Sequence, residues 1–362
     1  MRLLHVMTNA DIGGVERLVA QVCSELNSRC GVESDILCYM RGEGTLTSYL
    51  DSLQVHRFGG NLNTGWDCSP SKLWRIFRLM RSYDVIHIHA VNLQVGLMAR
   101  LTGKKIIFTE HGGFGFGNCP SMRHRIAQKI KGFFLRNMVD RIIFNSSFSQ
   151  QVAISRYGRK MASGAVIYNG VEPLAGPGAI DGDTRRRIDG KFVIGVVARF
   201  AKVKKIDRLI RAFATFADGR DDALLLLVGD GPLREEYERQ TGELKIGAKV
   251  HFAGFRQNIY DYIRAMDLCV LPSANEAFGL SYVEALNVGK PAVVFADGGG
   301  LAEIAMQFDP ADVVKDEAGL VRRLAHYESH RGDESKAAAC REYAAKFTIG
   351  TMAQALMKEY RG

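Results

Sequence analysis

Short apolar runs alternate with helical periods along the whole chain, and each run gives way to a loop carrying glycine, histidine or charge. In the first half, residues 3–7, 34–39, 54–58, 85–89, 105–110, 141–145 and 164–168 read as strands. In the second half, residues 192–197, 224–228, 250–252, 268–271 and 292–296 do so. Strands that alternate with helices imply parallel sheets covered on both faces, and ligands of such sheets sit at the carboxyl ends of the strands. In the first half those ends carry Gly13-Gly14, His89, His111 and Asn145-Ser146. Glycine and proline crowd residues 169–190, as in an interdomain connection. A chain of 362 residues is long for one core and suits two domains, predicted over 1–170 and 190–345.

Residues 276–291 organise the second half. A strand at 268–271 runs into a Pro-Ser-Ala-Asn turn, and a helix is predicted from about Phe278. Leu280, Val283 and Leu286 share its apolar face with Asn287, and Gly289 and Pro291 stop it. Glu276 then lies on the loop before the helix, with Gly279 in the first turn. Exposed amides at the positive end of a helix dipole suit a phosphate, and glycine allows a close approach. Glu276 and Glu284 could bracket a phosphate-bearing ligand. Two solvated glutamates beside a buried helix is the other reading of the same spacing.

Further cationic and glycine-bearing loops follow other strands. Arg199 and Lys204 are five apart on a strand-to-helix loop, where two cations can neutralise a diphosphate leaving group. Gly229-Asp230-Gly231-Pro232 follows the next strand, Gly254-Phe255 the one after, and Gly298-Gly299-Gly300 with Glu303 opens a late helix. Gly13-Gly14 does not match the G-x-G-x-x-G fingerprint, which counts against a nicotinamide enzyme.

Taken as phrases, Glu276 to Pro291, Gly229 to Pro232, Gly298 to Glu303 and Val166 to Val171 resemble the retaining glycosyltransferases of family 4 with the GT-B fold. The resemblance covers nearly the whole chain. It implies two facing Rossmann-like domains with a cleft between them, a helix at 348–362 crossing back onto the first domain, and a nucleoside-diphosphate sugar held by the second. It assigns Arg199 and Lys204 to the donor phosphates, although Lys205 stands where the family often has glycine, which leaves the two lysines open. Gly13, Gly14, Asp230, Gly231, Phe255, Phe278, Gly279 and Leu280 would contact the donor. Glu276 would hold sugar hydroxyls, Glu284 the ribose, and His111 would line the site, followed by the glycine-rich segment after it. The implied reaction retains anomeric configuration and moves a sugar to a saccharide acceptor, expected to be lipid-linked. No metal or other cofactor is expected: there is no D-x-D at a strand end and no His/Asp cluster in the sequence.

Composition adds the partner. Residues 1–170 hold 21 lysines and arginines against 11 acidic residues, a net of +10, while the remainder holds 27 against 28. The excess concentrates on two predicted helices. One, over 72–81, puts Leu73, Ile76, Phe77 and Met80 inward and Trp74 off that stripe. The other, over 123–139, puts Ile126, Ile130, Phe133 and Phe134 inward, with Arg125, Lys129 and Arg136 on a second face. An anionic membrane surface is the expected partner, with ordinary solvated helices as the alternative. A nucleic-acid binder and a sugar-nucleotide isomerase are the competing functions; the first lacks a binding motif, and the phrase at Glu276 argues against the second. Seven cysteines without a C-x-x-C pair, no 18-residue apolar run and an N-terminus lacking a signal-like segment place the chain in the cytoplasm, with possible peripheral attachment to the inner membrane face.

Overall fold

The structure is a computed structural model, and it describes residues 1–11, 13–112, 122–172, 176 and 178–362. The chain divides into two compact units, the first Met1–Glu172 with Thr348–Gly362 and the second Pro173–Phe347. The glycine-rich segment at 113–121 lies outside the described residues.

Unit 1 begins with β1 (Arg2–Met7), α1 (Gly14–Arg29), β2 (Glu33–Met40), α2 (Thr47–Ser52), β3 (Arg57–Leu62) and α3 (Pro70–Arg81). It continues through β4 (Val85–Ile88), α4 (Leu93–Leu101), β5 (Lys105–Glu110), α5 (Met122–Asn137), β6 (Arg141–Phe144), α6 (Ser147–Tyr157) and β7 (Ala165–Val166). The sheet is parallel in the order β3-β2-β1-β4-β5-β6-β7. Its central strands are apolar and buried on both faces, as parallel strands under two helix layers must be.

Unit 2 comprises α7 (Gly182–Ile188), β8 (Phe192–Val197), α8 (Ile206–Phe216), β9 (Ala223–Val228), α9 (Arg234–Glu243), β10 (Val250–Gly254) and α10 (Ile259–Arg264). Then come β11 (Leu268–Leu271), α11 (Leu280–Asn287), β12 (Ala292–Phe295), α12 (Gly300–Phe308), β13 (Val313–Val314), α13 (Glu317–Ser329) and α14 (Glu334–Ala344). Its sheet order is β10-β9-β8-β11-β12-β13, again parallel. The last helix, α15 (Ile349–Arg361), belongs to unit 1, where Met352, Leu356 and Tyr360 join a core with Leu18, Val22 and Leu26 of α1.

Four local expectations change. The strand expected at 54–58 lies at Arg57–Leu62, because Gln54 turns the chain with φ 54. The glycine- and proline-rich stretch before residue 190 contains α7, capped by the Asp181 side chain and tied to the sheet by Thr184 and His251, 2.9 Å apart. On α5 the buried side chains are Phe134 and Leu135, while Ile126 and Phe133, expected inward, are each 50% exposed. The helix stripe that docks is therefore turned from the one its periodicity marks most strongly. On α11 the buried set is Tyr282, Val283, Ala285 and Leu286, with Leu280 and Asn287 only partly covered.

Candidate active site

Each sheet reverses strand order at one place. β1 lies between β2 and β4, and β8 between β9 and β11. Loops leave such a point in opposite directions and open a crevice at the carboxyl ends.

In unit 2 the loops at that point are pinned to one another by backbone. Phe200 N donates to Asp230 O (2.9 Å), Ala274 N to Val203 O (3.0 Å), Glu276 N to Gly298 O (2.9 Å) and Gly300 N to Glu276 O (2.8 Å). Arg208 of α8 clamps the same loops from below. It donates to the carbonyls of Pro272 and Ser273, pairs with Asp297 at 2.8 Å and lies over the Phe295 ring. Sequence reasoning missed Arg208, since nothing local to α8 distinguishes it from a surface arginine.

On this frame the Lys204 Nζ meets Glu276 Oε1 at 2.7 Å, while Glu276 Oε2 is buried without a partner among the described residues. Arg199 is exposed and has no ion pair among the described residues. Lys205 is also exposed and caps α8 in the left-handed conformation, φ 49, which explains why glycine suits the position. Gly231 borders the same loop, and the Asp230 carboxylate accepts from its N–H at 2.7 Å and faces Arg234 at 3.4 Å. Phe255 is 66% exposed at the end of β10.

The start of α11 departs from expectation. The helix begins at Leu280, and Gly279 is its left-handed N-cap, φ 92, rather than a first-turn residue. A side chain at Gly279 would also collide with Leu301, 2.7 Å from an added Cβ. No side chain caps this end; Tyr282 N donates to Gly279 O (3.0 Å), which leaves the Leu280 and Ser281 amides to face an anion. Phe278 is buried against Phe347, so its ring is not presented to a ligand. Glu284 is half-buried in the second turn.

Unit 1 has its own pocket, about 1190 Å³, lined by Glu16, Trp66, His89, Glu110, His111 and Lys131 among others. The N-cap of α1 is Gly13, followed by exposed Gly14, and the Glu16 carboxylate folds back beside Gly13. Burial raises the pKa of Glu16. An anion approaching Gly13 and Gly14 must therefore displace Glu16. Glu110, 2% exposed, pairs with Lys131 of α5 at 2.5 Å. That pair beside His111 escaped the sequence reading, because its partners are twenty-one positions apart on different elements.

The histidines were not expected to cluster, and the register brings them together. His5 pairs with His87 across β1 and β4, and side chains of one parity share a sheet face. His5 Nδ1 lies 2.9 Å from His89 Nε2, and His89 Nδ1 lies 3.0 Å from His111 Nε2. His87 bonds Tyr360 OH and Thr109 Oγ1, each at 2.7 Å. Burial holds all four imidazoles below their ordinary pKa, His5 to about 3 and His111 to about 4, the latter helped by Lys131. His5, His87 and His89 offer nitrogens within 4.8 Å of one another. Both nitrogens of His87 and both of His89 are bonded, as is Nδ1 of His5, and His5 Nε2 has no partner among the described residues, so an ion here would have to break existing hydrogen bonds.

Two parallel Rossmann-like sheets, the second with its loops pinned at the switch point, define a GT-B protein. Residues 183–347 match the glycosyl transferases group 1 family and residues 12–173 match glycosyltransferase family 4. An Escherichia coli enzyme described as UDP-Gal:alpha-D-GlcNAc-diphosphoundecaprenol alpha-1,3-galactosyltransferase is 25% identical over 324 residues, covering 85% of this chain and 83% of its own. EpsF of Bacillus subtilis, described as a glycosyltransferase, is 24% identical over 311 residues, covering 81% and 78%. The crystal structure of Anabaena HepE with UDP and glucose superposes with a TM-score of 0.82 at 20% identity, covering 100% of this chain and 99% of that one, a likeness of fold. The chain belongs to the family-4, group 1 glycosyltransferases.

Proposed function

We propose that the chain is a retaining, metal-independent glycosyltransferase that moves a sugar from a nucleoside-diphosphate sugar held by unit 2 to a saccharide acceptor taken by unit 1. The observation that carries this reading is the Lys204–Glu276 pair at the unit-2 switch point, beside exposed Arg199 and the uncapped amides of α11. Arg199, Lys204 and those amides neutralise the departing diphosphate. Glu276 holds donor-sugar hydroxyls and opposes positive charge developing on the ring. Glu284 accepts from the ribose. Attack comes from the face that the diphosphate leaves: the acceptor oxygen bonds the anomeric carbon, the carbon–phosphate oxygen bond breaks with its electrons, and that oxygen takes the acceptor proton.

The acceptor in this reading is lipid-linked, and unit 1 docks on an anionic inner membrane face. On α3, Trp74 is 60% exposed and Arg75, Arg78 and Arg81 are exposed. On α5, Met122, Ile126 and Phe133 are 71%, 50% and 50% exposed beside Arg125, Lys129 and Arg136. Apolar and basic side chains together on a surface suit a headgroup layer. No described helix is long and apolar enough to cross a membrane.

A thermal-shift screen of sugar nucleotides tests the reading, starting with UDP-sugars because UDP appears with the E. coli and Anabaena proteins. A ligand at 100 times its Kd adds about 2.7 kcal/mol. Glu284→Gln should weaken sugar nucleotide and bare nucleoside diphosphate alike, by about 1.5–3 kcal/mol. Product analysis separates transfer from epimerisation. Failure of every sugar nucleotide to stabilise the protein would sink the reading.

A further inference from the structure

The three imidazoles of His5, His89 and His111 form one hydrogen-bonded line from the buried face of the unit-1 sheet to the pocket. Its two end nitrogens, His5 Nε2 and His111 Nδ1, are buried and have no partner among the described residues. A neutral imidazole carries one N–H and one lone pair. Two bonds between three such rings leave only two arrangements, and they differ in which end of the line holds the spare proton. In one, His111 Nδ1 bears hydrogen and every bond points from His5 toward His111. In the other, His5 Nε2 bears it and every bond is reversed. A mixed line would set two lone pairs or two N–H groups against each other.

The surroundings of the two ends differ. The cavity of about 10 Å³ beside His5 is lined by Leu18, Val19 and Val22 of α1, by Met352 and Leu356 of α15, and by His87, His89 and His111. That volume is at the lower limit for one water, and the nitrogens of His87 and His89 are already bonded. A buried N–H with no acceptor loses its full solvation. His111 lines a large pocket where a ligand oxygen can accept. We propose that His5 and His89 are positioning residues which lock His111 as the neutral Nδ1–H tautomer, so that it offers a hydrogen-bond donor to the pocket.

In that arrangement His5 Nδ1–H donates to His89 Nε2, and His89 Nδ1–H donates to His111 Nε2. The ligand chemistry follows: an oxygen lone pair, as on a sugar hydroxyl or a developing oxyanion. His87 stands outside the line, since its nitrogens serve Tyr360 and Thr109. The charged neighbours on the pocket side, Lys131 paired with Glu110, disfavour a second positive charge on His111. The tautomer stands on the geometry alone; the hydroxyl as its ligand rests on the glycosyltransferase reading.

Long-range proton–nitrogen NMR of the full ¹⁵N-labelled protein at pH 7 reads each ring directly. The expected result is a neutral His111 protonated at Nδ1, with His5 and His89 also protonated at Nδ1. His111 protonated at Nε2, or charged, would overturn the proposal. His5→Asn keeps a donor near the Nδ1 position and should keep the His111 signature; His5→Leu removes it and should produce a mixture of tautomers. An unchanged His111 spectrum in His5→Leu would also overturn it. If that variant does not fold, the wild-type and His5→Asn spectra still decide. Loss of sugar-nucleotide binding in the screen above would leave these spectra untouched, so the two readings fail separately.

Discussion

Lys204 Nζ lies 2.7 Å from Glu276 Oε1, and the two side chains are 23% and 21% exposed. They come from loops after β8 and β11, the strands that flank the reversal of the unit-2 sheet. In the proposed reaction each has its own task, one toward phosphate and one toward sugar. The two side chains neutralise each other, and in the proposed reaction a diphosphate takes Lys204 from Glu276.

Glu276→Gln should therefore spare nucleoside-diphosphate affinity, or improve it, while lowering kcat. Arg199→Ala and Lys204→Ala should each lower kcat by about 10²–10³, the loss typical of one charge-stabilising donor. A chelator should leave the wild-type rate unchanged. Activity that disappears with chelator and returns with Mg²⁺ would contradict the metal-independent mechanism.

Lys205→Gly tests which lysine serves the phosphates. At φ 49 a non-glycine residue costs about 1–2 kcal/mol. Glycine relieves that strain but adds about 0.5–1 kcal/mol of unfolded-state freedom. A net gain on the order of 0.5–1 kcal/mol in urea unfolding is expected, with kcat retained because Lys204 alone faces Glu276. A fall in kcat as deep as that of Lys204→Ala would give the phosphate role to both.

The buried histidines make unit 1 acid-sensitive in a defined window. Unfolded, each titrates near 6.5. Folded, His5 resists protonation until about 3 and His111 until about 4. Between those values the unfolded chain binds more protons, so stability is highest above pH 6.5 and falls as pH drops, by up to about 1.4 kcal/mol per pH unit for each histidine. Urea midpoints from pH 7 to 4.5 measure the slope, and His5→Asn should flatten it. A slope identical to wild type would show that His5 titrates normally.

Charge reversal tests docking. Replacing Arg75, Arg78, Arg125 and Lys129 with Glu should release the protein from anionic vesicles and leave sugar-nucleotide binding intact, since the donor loops lie in unit 2. Salt should weaken wild-type binding as screening shortens toward the ~8 Å Debye length of physiological ionic strength. Equal sedimentation with neutral and anionic vesicles, or none with either, would return these helices to solvent.

The sequence was most legible where the environment is uniform. Parallel strands buried on both faces are continuous apolar runs, so β8, β9, β11 and β12 stand out, and the Gly-Asp-Gly-Pro and Glu276 phrases follow them directly. Arg208 and the Glu110–Lys131 pair were not legible, because what gives each its place is a group on another element: Asp297 after β12 for one, and for the other the packing of α5 beside the end of β5.

By itself, then, the sequence determined the alternation of elements, carried by local periodicity, and the family phrases, whose resemblance implied the GT-B class. The tertiary structure decided which stripe of α5 is buried, where α11 starts, and that His5, His87, His89 and His111 share one sheet face. Helical period gives candidate faces, but the face that docks is set by neighbours: Phe134, not Phe133, fills the space over Gly96 of α4. Strand register is equally nonlocal. It is the pairing of His5 with His87, residues eighty-two positions apart, that turns scattered histidines into a hydrogen-bonded line.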